Sequence, residues 1–225
     1  MEAFFYRSIK FIQEEPIMKK FLLSIALAVS CALATSAPKT HDGFFLSGTF
    51  GFGFGSFLNE FQANGVKMES KGTQIETGLK IGGAIIQNLI LHGTIDINGI
   101  FDDIRFSDKS GNESTLTIGN NKSFRSIFLG AGITYYIPGA ANVFFSASAG
   151  ISDYTEICVM GEIVTNYDPN FSFNLSAGKE WWVNNELGIG VALSFNHYSA
   201  KSKIFDYEGK VSFNSISAVA TFTFN

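Results

Sequence analysis

Along most of this chain the apolar residues fall on every second position. From Thr73 to Ile85, Ile75, Thr77, Leu79, Ile81 and Ile85 share one face of an extended chain. Gln74, Glu76, Gly78, Lys80, Gly82 and Ala84 share the other. A period of two is the mark of a β-strand with one apolar and one polar side. The pattern recurs in Leu89–Phe101, Ser126–Ile137, Val143–Ser152, Phe171–Val183, Leu187–Tyr198 and Ser212–Phe224. In Phe45–Phe57, FLSGTFGFGFGSF, it takes an extreme form, with phenylalanine and glycine alternating from Thr49 onward. These segments predict eight strands.

The connections alternate too. Short turns follow the second, fourth and sixth strands, at Gln87-Asn88, Pro138–Asn142 and Asn184-Asn185-Glu186. Longer polar stretches follow the first, third, fifth and seventh: Leu58–Lys71, Asp102–Lys122, Asp153–Asn170 and Ser199–Lys210. An even number of long strands, with short turns at one end and long loops at the other, predicts an all-β, eight-stranded antiparallel up-and-down transmembrane β-barrel. Hydrocarbon offers backbone groups no hydrogen-bond partner, so a spanning sheet has to close on itself. Eight strands enclose a lumen that side chains just fill. Phe50, Phe52 and Phe54 are then expected to face lipid, with Gly51, Gly53 and Gly55 inside. Trp181, Trp182, Tyr135, Tyr136, Phe222 and Phe224 fall at strand ends beside the short turns or the C-terminus, where rings anchor at headgroups.

The 225 residues include 24 Phe and 23 Gly but only 4 Pro, and 16% are charged, a composition far from that of disordered chains. Before the strands, Met18–Ala34 reads MKKFLLSIALAVSCALA. Lys19 and Lys20, a short apolar core and the small residues Ala32 and Ala34 make a secretory signal peptide. Residues 1–34 are therefore read as signal peptide with Met18 as the true start, and 35–225 as the barrel domain. A cut after Ala37 and lipidation at Cys31 are the alternatives. Removal of this segment takes away a net +1 and changes the formal charge from −4 to −5. A nucleic-acid partner therefore has no electrostatic support. Cys158 is then the one remaining cysteine, which excludes an intrachain disulfide and a cysteine-built zinc site.

With its signal peptide, alternating strands and terminal VATFTFN, the chain resembles the small outer-membrane barrels of Gram-negative bacteria, of the type of the porin-like protein A transmembrane domain and the small protein X. The resemblance implies location in the cell outer membrane. It also implies contact with membrane lipids and lipopolysaccharide, and passage through periplasmic chaperones and the barrel-assembly machinery. In that group the last residue is commonly phenylalanine; here Phe224 precedes Asn225. A monomer without cofactor is expected.

Parity points Glu76, Lys80, His92, Asp96 and Glu180 into the lumen. Whether Lys80 faces Thr94 or Asp96, it comes near Asp96 directly or diagonally, so a Lys80–Asp96 ion pair is predicted, with Glu76 beside it. The expected result is a plugged interior, with a narrow pore as the alternative. Lys179 falls on the lipid side, either snorkelling to phosphates or turned inward by a bulge. At the far end of the seventh strand, His197 and Ser199 share a face, and Glu208 returns across the hairpin. Base, nucleophile and orienting carboxylate are the parts of a hydrolytic triad. Their order is similar to that of the outer-membrane lipid A 3-O-deacylases, which implies His197 as base, Ser199 as nucleophile and Glu208 as orienting group. Ala200 stands where that family has an oxyanion-donating Asn, and the spacing to Glu208 is shorter. The sequence reading is a non-enzymatic structural or surface-interaction barrel, with this hydrolase as the alternative. Asp102, Asp103, Asp108 and Glu113 read as a solvated acidic loop without calcium-loop spacing, so no metal is expected. The Ile157–Met160 patch with Cys158 reads as a cover over the barrel mouth or a partner contact.

Overall fold

The computed structural model describes residues 39–61, 66–101, 104–108, 113–116, 124–156, 166–204 and 207–225. The signal-peptide reading, Cys31, Asp102, Asp103 and the Ile157–Met160 patch lie outside them. Among the described residues there are ten antiparallel strands: β1 (Phe44–Phe61), β2 (Lys67–Ile86), β3 (Leu89–Ile100), β4 (Ile104–Ser107), β5 (Glu113–Leu116), β6 (Phe124–Tyr136), β7 (Val143–Glu156), β8 (Asn166–Trp182), β9 (Leu187–Ile204) and β10 (Tyr207–Phe224). Eight of them form the barrel in the order β1-β2-β3-β6-β7-β8-β9-β10, and β10 pairs back with β1 to close it. The closing seam runs from Leu46↔Phe224 to Phe61↔Gly209.

β4 and β5 form a small additional hairpin on the edge of β2, where Lys67, Met68 and Glu69 pair with Ser107, Phe106 and Arg105. It lies within the stretch read from sequence as loop. The other predicted long loops are also shorter than their polarity suggests. β1 continues to Phe61 and β2 starts at Lys67; β9 continues to Ile204 and β10 starts at Tyr207. Backbone pairing goes on after the outward face has stopped being apolar, and only the apolar face was legible. The three short connections occur where predicted. Asn88, Ala141 and Asn142 adopt left-handed backbone there, as does Gly139 with φ 77°; tight turns favour such residues.

The exterior is apolar. Phe50, Phe52 and Phe54 are 47%, 55% and 75% exposed, and Leu79, Ile95, Ile133, Leu175, Leu193 and Ile216 point outward around the wall. The interior is polar: Glu76, Lys80, His92, Asp96, Asn98, Asn174, Glu180 and Asn196 are all buried. This inside-out distribution suits a protein whose solvent is hydrocarbon. β1 lies close to β10: a Cβ on Gly51 or Gly53 would fall 2.2 Å or 2.0 Å from a β10 carbonyl oxygen. The alternating glycines therefore let the first strand seat against the last.

Candidate functional site: the sealed lumen

Two apolar layers block the lumen. Near the long connections, Phe57, Phe128, Tyr154, Tyr167, Tyr198 and Phe213 form a buried cluster with Ile100, Met68 and Val211. Phe128 stacks on Tyr198 with ring centres 5.2 Å apart and planes at 4°, and Phe213 follows at 5.7 Å. Near the short turns, Phe45, Ile90, Tyr136, Phe144, Ala192 and Val219 form the second cluster. Below it the segment ahead of β1 folds across the mouth. Lys39 N–H donates to the Asn185 carbonyl and Asn88 N–H to the His41 carbonyl. This places the His41 ring 3.4 Å from Tyr136, nearly parallel, and 4.9 Å from Trp182. Burial pushes the His41 imidazole below its ordinary range; Asn225, Asn142 and, least, the Asp42 charge pull the other way.

Between the layers lie the charged residues named from sequence. The register sets Lys80 opposite Thr94 and Asp96 opposite Gly78, so Lys80 and Asp96 are diagonal neighbours. The direct ion pair predicted for them is absent among the described residues. The Lys80 ammonium instead donates to Ser146 Oγ at 2.8 Å and Ser176 Oγ at 3.4 Å, across the lumen. One Asp96 oxygen, Oδ2, is buried with no hydrogen-bond partner. A cavity of about 20 Å³, room for roughly one water, is bounded by Lys80, Asp96, Glu76 and Glu180. Glu76 accepts from Asn196 Nδ2 at 2.9 Å. Glu180 accepts from Tyr136 at 2.9 Å, Thr221 at 3.0 Å and Thr223 at 2.7 Å, which ties β8 to β6 and β10. His92 is bracketed by Thr94 and Thr134, each at 3.0 Å. Two carboxyl groups, Glu76 and Glu180, and the Lys80 ammonium are thus held by hydroxyls and amides, as buried polar groups usually are, and Asp96 Oδ2 is the exception.

The His197, Ser199 and Glu208 constellation is not assembled. His197 Nδ1 lies 2.7 Å from Asn214 Oδ1, its cross-strand neighbour, and the ring packs 5.2 Å from Phe173. Ser199 donates to the Phe171 carbonyl at 2.7 Å and is buried. Glu208 stands opposite Lys203, six positions along β10 from Asn214. At about 3.3 Å per residue that is roughly 20 Å. The return strand pairs residue by residue from Tyr207, so Glu208 meets the far end of β9 and cannot orient the imidazole.

The ring residues named from sequence divide by parity. Tyr135, Trp181, Phe222 and Phe224 are exposed on the outer wall near the short turns. Tyr136 turns inward, and Trp182 stacks on His41. Lys179 stays on the outer face with its ammonium 5.5 Å from the Trp181 ring centre, and the β8 bulge lies elsewhere, between Pro169 and Phe173. Sequence reasoning missed the aromatic layers. The signal for them was a large residue at inward parity near a strand end, such as Phe128 between Ile127 and Leu129. His41 precedes the first strand and carried no periodic signal.

No protein-family model and no curated protein matches the sequence. Among solved structures, the outer membrane protein OprG from Pseudomonas aeruginosa is similar in fold, with 8% identity, a TM-score of 0.49, and 82% of this chain and 98% of that one covered. The outer membrane protein AlkL in lipid bilayers gives 9% identity, a TM-score of 0.47 and coverage of 85% and 94%. Neisserial surface protein A gives 12%, 0.43, and 79% and 95%. At TM-scores below 0.5 no property of those proteins passes to this chain.

Proposed function

We propose that this chain is an integral outer-membrane barrel with a plugged lumen and a structural or surface-interaction role. One observation carries the reading: an apolar outer wall surrounds a polar interior that aromatic layers close at both ends. Such a cylinder is stable in lipid and leaves no continuous aqueous path. The Met18–Ala34 signal supports export through the periplasm, with the mature protein starting at Thr35. Its partners are membrane lipids and lipopolysaccharide and, during biogenesis, periplasmic chaperones and the barrel-assembly machinery reading VATFTFN. The folded protein acts as a monomer without cofactor, and its long connections face outward for recognition or adhesion. The test is fractionation of expressing cells followed by gel electrophoresis with and without boiling. Recovery with the outer membrane and a mobility shift on boiling are expected. Recovery as a soluble protein, or identical mobility, overturns the proposal.

A further inference from the structure

Beyond the apolar belt, charged residues on the outer wall meet across strands in pairs of opposite sign. Glu60 stands opposite Lys67 on β2 and Lys210 on β10, Asp168 opposite Lys201, and Glu69 opposite Arg105. One pairing among the described residues breaks the rule: Lys201 on β9 stands directly opposite Lys210 on β10. Like charges at such positions repel, with Cβ atoms about 5 Å apart. Neither lysine has an ion-pair partner at contact distance among the described residues. Each has a carboxylate on its other side, Asp168 across from Lys201 and Glu60 across from Lys210, and Glu60 is engaged with Lys67 at 2.6 Å.

The surface beneath the pair fits a lipid. On the same face, going toward the belt, come Ser199 and Ser212, then His197 and Asn214, then Phe195 and Ile216. Ile216 is 60% exposed and the serines are small. Lys210 is four residues beyond Asn214, roughly 10 Å along the barrel axis at the usual strand tilt. Long lysine stems bend back toward a headgroup layer at that depth.

We infer that Lys201 and Lys210 form a binding site for phosphate on the headgroup of an outer-leaflet lipid, whose acyl chains lie along Phe195 and Ile216. A phosphate between the ammonium groups removes their repulsion and accepts a charge-assisted hydrogen bond from each. The inference rests on the membrane placement proposed above, and its test separates the two. Purified barrel in neutral detergent is mixed with diphosphoryl lipid A or with lipid A stripped of its phosphates, and bound lipid is counted by native mass spectrometry. The expected result is one retained diphosphoryl lipid, bound about tenfold more tightly than the stripped form. Lys201→Gln/Lys210→Gln is expected to abolish that preference. Lys201→Arg/Lys210→Arg keeps it, and Lys179→Gln, beside Trp181 near the short turns, leaves it unchanged. Equal binding of the two lipids by the wild type overturns the inference, as does full binding by the double glutamine variant or displacement by equimolar inorganic phosphate. Should the glutamine variant fail to show a heat-modifiable band, the wild-type comparison decides alone. Failure here by a barrel that fractionates with the outer membrane refutes only this site.

Discussion

Gly53 is a residue at which sequence and fold constrain each other tightly. Its missing side chain leaves room for the Ile216 carbonyl and Ser217 Cα, which a Cβ would meet at 2.0 Å and 2.6 Å. Gly53→Ala forces β1 away from β10, and overpacking of this kind costs about 1–3 kcal/mol. The expected outcome is a lower urea midpoint in micelles and a smaller heat-shifted fraction on gels, with the outward Phe54→Leu near wild type as the control. His41 gives a residue-scale prediction in pH. Its folded pKa lies below the ordinary 6.5 because the ring is buried. The unfolded chain therefore binds the proton first as pH falls, and the plug's stability is full above about pH 6.5 and lost as pH drops toward the depressed value. Trp182 stacks on His41 and reports the change. Its fluorescence should shift on acidification in the wild type and stay flat in His41→Phe; a flat wild-type signal would sink the idea.

At the scale of the strand, what the sequence displayed was contact with hydrocarbon. The eight spanning strands were legible because lipid demands an apolar residue at every second position, as Ile75, Thr77, Leu79 and Ile81 illustrate. The same strands continue as Lys67–Gly72, Ser199–Ile204 and Tyr207–Val211, but there the outward residues meet water and the alternation goes silent. For this reason a loop between Ser199 and Lys210 would bring Glu208 near His197, whereas the paired strands carry it away. The lumen charges were legible by parity, and their partners were not, since Ser146 and Ser176 reach Lys80 from strands far away in sequence. Glu180 shows what such cross-barrel contacts contribute. Glu180→Ala leaves the Tyr136 and Thr221 hydroxyls without their acceptor, at about 1–3 kcal/mol for each buried group left unpaired, while Thr223 keeps Ser47. Glu180→Gln retains an acceptor and is expected to be much milder. Chemical unfolding followed through Trp181 and Trp182 should rank wild type, Gln and Ala in that order; equal midpoints for Gln and Ala would remove the network from the account.

For the whole molecule, two seals in series predict how it conducts. A planar bilayer containing the wild-type barrel should show no steady ohmic channel. Opening one layer alone, by Phe128→Ala/Tyr198→Ala, leaves the turn-side layer of Phe45, Tyr136 and Phe144 intact and should stay silent. Combining it with Phe144→Ala/Tyr136→Ala should produce current, and wild-type conductance would contradict the sealed interior. The seam between β1 and β10 carries a consequence for how such a molecule comes into being. Its two sides are Phe44–Phe61 and Tyr207–Phe224, the first and last of the described strands. Contacts so distant in sequence are slow to form. Until β10 has been made, this edge of β1 has no mate and offers a row of bare amides to any passing strand. Such a polypeptide cannot fold as it is made, and its first strand must be escorted until the last one arrives.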